Sequence, residues 1–253
     1  MTAQLETSDH IATITIAPSA PGGLIGFESA YSLGEAATET RQRDDVWVVL
    51  LRSDDNDFCM GVSPEVTEAA LRPDPQIGSI RVSQTIADIE KPVVCAIQGM
   101  ARDQGLEIAI SCDLRIAETD STFAMKQVLN GVMPWDGGTQ RLPRLIGRSR
   151  AMDMLLTGRI VAATEALEIG LVNEVVERGR ATERAMELAA LIAGHGPIAL
   201  RYLKEAVLNG MDGTLDQGLR LEADLSFLLQ STKDRSEGIT SFLERRSPTY
   251  RGQ

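Results

Sequence analysis

The sequence predicts an α/β fold: a core of alternating strands and helices over residues 1–193, followed by an all-helical segment over residues 194–253. Three observations carry this. Short β-branched runs alternate with helical spacings through most of the chain, as in a mostly parallel sheet covered by helices. From Thr182 onward only helical spacing remains, broken at Gly194-His195-Gly196-Pro197 and again around Gly210 to Gly213. Between these regions lies Pro92 to Asp113, where the apolar run Val93 to Ile97 passes through Gly99 and Gly105 into Leu106-Glu107-Ile108-Ala109-Ile110. A helix that is apolar on every side belongs in the interior of a large domain.

The elements follow in order. Ile11 to Ile16 alternates as a strand, and residues 28 to 41 carry helical spacing through Tyr31, Leu33, Ala36 and Ala37. Val46 to Leu51 is an apolar run with the length of a buried strand. The acidic turn after it (Asp54, Asp55, Asp57) invites a calcium reading, but Cys59 and Val66 would fall at the fifth and twelfth loop positions, so it is a solvated turn. Residues 63 to 75 contain prolines and read as irregular surface, and Ile77 to Ile89 reads as a helix. Leu114 to Ala117 reads as a strand, followed by Phe123 to Leu129, then a glycine-bearing loop from Gly131 to Gly138 with an exposed Trp135-Asp136 pair. Residues 139 to 156 and 164 to 169 read as helices, and Val172 to Val176 as the last strand.

Hydrophobic residues make up 43% and charged residues 24% of the chain, so a sizeable core is available. The formal net charge of −11 argues against nucleic acid or an anionic membrane as the main partner. Cys59, Cys95 and Cys112 are an odd number, and two of them lie in apolar runs, as expected of reduced thiols in a cytosolic protein. No basic-then-apolar leader opens the sequence, and no apolar run is long enough for a membrane span. His10 and His195 are far apart in sequence and neither has another ligand type at useful spacing, so both read as structural and no metal site is expected. Phosphate-loop, dinucleotide and nucleophile-elbow motifs are all missing.

Glu107 is the one ionisable group in the apolar helix. A carboxylate buried there is either satisfied by a cation or placed for chemistry, since burying it unpaired costs several kcal/mol. The loop before it should also present free backbone N–H groups, which suit a developing oxyanion.

KPVVCAIQGMARDQGLEIAISCDLRIAETDSTFAM and GGTQRLPRLIGRSRAMDMLLTGRIVAATEALEIGLVNEVV, with a final DRSEGITSFLERRSPTYRG, resemble the enoyl-CoA hydratase/isomerase (crotonase) family from about Val46 to the end. The resemblance implies the crotonase-like ββα spiral shared with ClpP, a C-terminal helical segment used for trimer formation, and assembly as a homotrimer or dimer of trimers. It also implies an acyl-CoA thioester as substrate, with no cofactor beyond the coenzyme A that the substrate carries. The thioester oxygen would be held by the backbone N–H groups of Met60 and Gln104, with Cys59, Gly61, Gly105 and Trp135 lining the substrate.

This chain departs from the family pattern at several points. Of the two glutamates that hold water in family hydratases, the first maps to Glu107 and the second to Gln127. Gln127 can hold a water but cannot exchange a proton, so Asp136 becomes the candidate second group; its other reading is a cap on the helix starting near Gly137. Asp103 and Gln104 stand where the resemblance implies glycines, and with Arg102 beside them they would crowd or decorate the oxyanion loop. The loop Pro18 to Gly26 lacks the family's usual coenzyme A pattern, and Arg245 or Arg246 read as phosphate contacts or as solvated surface. The expected reaction is hydration or dehydration of an enoyl-CoA. Two alternatives stand beside it: isomerisation or ring hydrolysis through the same enolate, and a homologue that binds acyl-CoA without turning it over.

Overall fold

A computed structural model describes residues 3–71 and 80–253. Strands β1 (Gln4–Ser8) and β2 (Ile11–Ile16) form a hairpin, followed by helix α1 (Phe27–Gln42) and strand β3 (Val48–Ser53). Short helices α2 (Pro64–Leu71) and α3 (Val82–Ala87) precede β4 (Val93–Ile97), β5 (Met100–Arg102) and α4 (Gln104–Ala109). Next come β6 (Leu114–Glu118), β7 (Thr122–Ala124), a 3-10 turn at Gln127–Asn130, α5 (Gly138–Ile146) and α6 (Arg148–Thr157). Then β8 (Val161–Ala162), α7 (Ala163–Glu168), β9 (Glu174–Val176) and α8 (Ala181–Ala193) lead to α9 (Pro197–Gly210), α10 (Leu215–Leu229) and α11 (Lys233–Glu244).

One sheet runs in the order β1-β2-β3-β4-β6-β9, parallel except at the β1–β2 hairpin. A smaller sheet, β5-β7-β8, lies beside it and is extended by the bridges Cys59↔Ala101 and Ile25↔Val62. Each passage β4–β5 and β6–β7 therefore gives one strand to each sheet before the chain moves on. The result is a spiral whose turns stack, and the small sheet carries the loops that build the site.

Alternation along a strand sends successive side chains to opposite faces, and the two cores divide accordingly. Val49, Leu51, Cys95 and Ile97 point into the larger core with α1, α3 and α4; Val48, Leu50, Val94 and Ala96 point into the other. That second face is covered by α8, whose Ala181, Ala185, Ala189 and Ala193 form a small-residue stripe that lets the helix approach the sheet closely. All three cysteines are buried and free.

The helical C-terminal part is tied back by a few polar contacts. Lys204 of α9 is buried and donates to the Asp113 carboxylate at 2.7 Å and to the Lys91 carbonyl at 3.0 Å. The Asp234 carboxylate receives the N–H groups of Arg251 and Gly252, folding the tail under α11. Arg246 is paired with Glu237 and Glu244, and Arg245 closes α11 in the left-handed conformation. His10 stacks on Trp47 with ring centroids 3.7 Å apart, a structural role.

Several elements differ from the sequence reading. Strand β1 lies outside it, because its alternation is polar and half-exposed: it is an edge strand that buries little. Residues 64–71 are helical rather than irregular, since Ser63 caps and Pro64 starts the helix: Thr67 N–H donates to Ser63 O, and Val66 N–H to Ser63 Oγ. The remainder of that segment, 72–75, lies outside the described residues, as do residues 77–79 of the expected helix from Ile77, whose described α-helical part is only α3. The helix of 139–156 is two helices, parted at Gly147 with φ +82°. The segment Phe123 to Leu129 is a strand only to Ala124 and from Gln127 a 3-10 turn.

Candidate active site

Helix α4 is buried along its whole length, and Glu107 within it has no exposed surface. Two glycines allow this depth. A Cβ on Gly105 would lie 2.1 Å from the Cys59 carbonyl oxygen, and one on Gly138 would lie 3.0 Å from Glu107 Oε1. The turn before α4 places Asp103 at φ +50° and ψ −119°, backbone that favours glycine. Asp103 is held there by its neighbours: its Oδ1 accepts the Lys126 N–H at 2.6 Å and its Oδ2 accepts from Arg102 Nε at 3.0 Å. Its side chain stitches the loop to the segment carrying Gln127. The Asp103 Cβ lies 3.4 Å from where a Gly61 Cβ would sit, so the loop packs closely against Gly61. Gln104 is buried, with Oε1 at 3.2 Å from where a Gly61 Cβ would sit.

Among the described residues, no cation pairs directly with Glu107. Its Oε1 accepts two backbone N–H groups, from Gly138 at 2.7 Å and Asp136 at 3.0 Å, and its Oε2 has no hydrogen-bond partner. Burial raises its pKa to about 7 against the lowering effect of those N–H groups, with the nearby Asp136 charge a smaller raising influence and Arg141 a lowering one. The arrangement gives a carboxyl group that both holds and releases a proton near neutral pH and has one oxygen free to do so.

Asp136 is buried, not exposed, and its carboxylate is already engaged. Oδ2 accepts the Ser83 N–H at 2.7 Å and Oδ1 the Gln84 N–H at 3.3 Å. It thus caps α3, more than fifty residues away in sequence, and not the helix that begins at Gly138. Burial raises its pKa as well. Gln127 is buried with both amide atoms unpartnered, and the half-buried Trp135 has its Nε1 buried and unpartnered. Among the described residues, four of the seven unpartnered buried polar side-chain atoms belong to Glu107, Gln127 and Trp135.

Residues 6–253 match the enoyl-CoA hydratase/isomerase family model. The chain belongs to that family. It is 36% identical over 260 residues to the (E)-benzylidenesuccinyl-CoA hydratase of Thauera aromatica, covering 100% of both. It is 39% identical over 170 residues to the crotonyl-CoA hydratase of Syntrophomonas wolfei, covering 67% of this chain and 65% of that one. The crystal structure of an enoyl-CoA hydratase from Bacillus anthracis superposes with a TM-score of 0.90 at 33% identity, covering 99% of each chain. The fold is the crotonase fold of these enoyl-CoA hydratases.

Within this family frame the two expected oxyanion donors differ. Gln104 is the first residue of α4, so its N–H has no intrahelical acceptor. The Met60 N–H instead donates to the Gly23 carbonyl at 3.1 Å, so this expected donor is occupied. The loop residues Gly22 and Gly23, at φ +77° and +73°, bring that carbonyl in; here the chain has glycines in place of the usual family pattern. Cys59 and Gly61, expected against the substrate, spend their polar groups inside the fold. The Cys59 carbonyl accepts from Arg102 N–H, its thiol, raised to about 12 by burial, accepts from Gly61 N–H, and the Gly61 carbonyl accepts from Ile25 N–H. Sequence reasoning missed Gln84 and Arg141, which meet only because the fold brings α3 against α5.

Proposed function

We propose that this protein adds water to, and removes it from, the double bond of an enoyl-CoA, with Glu107 as the single proton-carrying group. The observation that carries the reading is the Glu107 carboxyl: Oε1 fixed by two backbone N–H groups, Oε2 unpartnered, and proton affinity raised to about 7. In the hydration direction Glu107 takes a proton from a water held by the Gln127 amide, and the water oxygen bonds to Cβ. The electron pair of the double bond moves to the thioester oxygen as an enolate. That pair then returns to Cα, which takes the proton from Glu107 and leaves the carboxylate as it began.

Gln104 N–H, and Met60 N–H once it gives up the Gly23 carbonyl, would hold the enolate oxygen; one such donor is worth about 3–4 kcal/mol in comparable sites. No cofactor is needed beyond the coenzyme A of the substrate. Asp136 serves here as a structural acceptor and not as the second acid. A site with one working carboxyl also suits double-bond isomerisation, which is the second reading.

Self-association fits the surface of the C-terminal helices. Leu215, Phe227, Phe242 and Leu243 are 74–81% exposed, and a water-facing row of this kind is expected to be covered by further copies of the chain in a trimer or a dimer of trimers. Among the described residues no helix is long and apolar enough to cross a membrane, in keeping with work on a dissolved thioester in the cytoplasm.

The test is mass spectrometry of crotonyl-CoA incubated with the protein in D₂O, with Glu107→Gln alongside. Hydration gives product with one added oxygen and one carbon-bound deuterium, and the variant loses about 10²–10⁴-fold of the rate. Deuterium at carbon without added oxygen would replace hydration by isomerisation. An unimpaired Glu107→Gln would remove Glu107 from the chemistry.

A further inference from the structure

The turn Trp135 to Gly138 supplies both N–H groups that hold Glu107, so whatever fixes this turn fixes the reacting carboxyl. Two devices converge on it from outside the site. The first is the Asp136 carboxylate, bound to the Ser83 and Gln84 N–H groups of α3. The second is Arg141, half-buried on α5, whose guanidinium donates through Nη1 to the Asp136 carbonyl at 3.0 Å and through Nη2 to Gln84 Oε1 at 2.7 Å. The guanidinium lies close over the turn: a Cβ on Gly137 would fall 2.1 Å from Nη1, and Gly137 sits at φ +111°, where side chains are rarely tolerated. Gln84 is itself steadied by a 2.7 Å bond from its Nε2 to Asp88.

We infer that Arg141 is a positioning residue for Glu107, its forked guanidinium clamping the Asp136–Gly137 peptide to α3 so that the two N–H groups of the turn keep their aim. The role assigned to Glu107 under the proposed function gives this clamp its purpose. The clamp itself can be tested without any substrate. A point charge could stand in for the electrostatic influence of Arg141, but its two guanidinium N–H groups are held at a fixed spacing and angle that an ammonium on a shorter, flexible stem does not reproduce at these two acceptors.

Three variants separate these effects: Arg141→Met, Arg141→Lys and Gln84→Leu. Backbone amide exchange at Asp136 and Gly138, followed by NMR on the full chain, reads the clamp directly. We expect exchange at both amides to rise roughly tenfold in Arg141→Met and Arg141→Lys, the size of losing one charged hydrogen bond. A smaller rise is expected in Gln84→Leu, with amides of β4 unchanged in all three.

The pH dependence of kcat for crotonyl-CoA supplies the second readout. Among the described residues, the charged groups that act on Glu107 are the Asp136 carboxylate, which raises its proton affinity, and Arg141, which lowers it. Removing the cation in Arg141→Met therefore moves the Glu107 limb to higher pH, whereas Arg141→Lys leaves it in place. The clamp is overturned if Arg141→Lys protects both amides as the native enzyme does, since charge alone would then suffice. It is equally overturned if neither Arg141→Lys nor Gln84→Leu alters exchange. Should Arg141→Met fail to fold, those two variants still decide the matter. Failure of hydration with the exchange pattern intact would overturn the proposed function and leave the clamp standing.

Discussion

Glu107 and Asp136 are two buried carboxylic residues joined by one hydrogen bond, from the Asp136 N–H to the Glu107 carboxyl, and the proposed reaction puts them to opposite uses. Both have raised proton affinity, and burial is the main cause in each. They differ in what their oxygens do. Asp136 has both oxygens occupied by the first N–H groups of α3, whereas Glu107 has one oxygen held and one free. Raised proton affinity therefore does not separate the proposed reacting acid from the proposed structural one. The count of unsatisfied lone pairs does. Asp136 contributes to the site through its backbone N–H, and its side chain serves to hold that N–H in place.

The sharpest way to break the comparison is Glu107→Gln, for which the ~10²–10⁴-fold loss of hydration is the largest effect expected. The same variant has a second consequence for stability. The folded protein holds the Glu107 proton up to about pH 7, while an ordinary glutamic acid releases it near 4.5. Between these values the native state binds more protons than the unfolded state, so stability falls as pH rises through that window. The full penalty, about 3 kcal/mol, is reached above pH 7. The amide introduced by Glu107→Gln keeps an oxygen to accept the Gly138 and Asp136 N–H groups but carries no charge to desolvate. Denaturant unfolding should therefore find Glu107→Gln close to the native protein at pH 4.5 and more stable by up to about 3 kcal/mol at pH 8. A difference that does not change with pH would mean that Glu107 is not titrating in this range.

The comparison also separates what the sequence discloses from what it hides. The apolar strands and the all-apolar helix around Glu107 follow from periodicity, because each is buried on the faces its pattern marks. Glu107 stands out for the same reason: a charge in such a helix needs an explanation. The clamp of Gln84, Asp136 and Arg141 has no comparable signature, since it joins residues more than fifty apart through backbone N–H donors and a side-chain amide oxygen whose placement sequence does not display. Asp136 invites a catalytic reading because Gln127 cannot exchange a proton, and a capping reading because it precedes the helix that begins at Gly138, while its actual partner, α3, is set by the tertiary fold. The occupation of the Met60 N–H by the Gly23 carbonyl is equally invisible: paired glycines mark a turn but not where its carbonyl will point.

Gln127→Glu sharpens the comparison from the other side. If Gln127 only holds water, a carboxyl group there supplies a second proton carrier at a buried position whose amide atoms have no protein partner. Crotonyl-CoA hydration should then rise by about tenfold or more, toward the lower end of what general acid–base help contributes. A fall in rate would show that the amide donates a hydrogen bond the reaction needs.

The smallest effect expected is that of Asp136→Asn, and it bears most directly on the contrast between the two acids. Asparagine keeps one oxygen to accept from α3 but turns an N–H₂ toward the other N–H, so one of the two anchoring bonds is lost. Losing a single such bond is worth about 1–2 kcal/mol of positioning. The expected result is a kcat within about tenfold of the native enzyme, faster amide exchange at Asp136 and Gly138, and an unchanged requirement for Glu107. A variant as inactive as Glu107→Gln would return Asp136 to the chemistry as the second acid, and the free-oxygen criterion that sets the two carboxyl groups apart would fail with it.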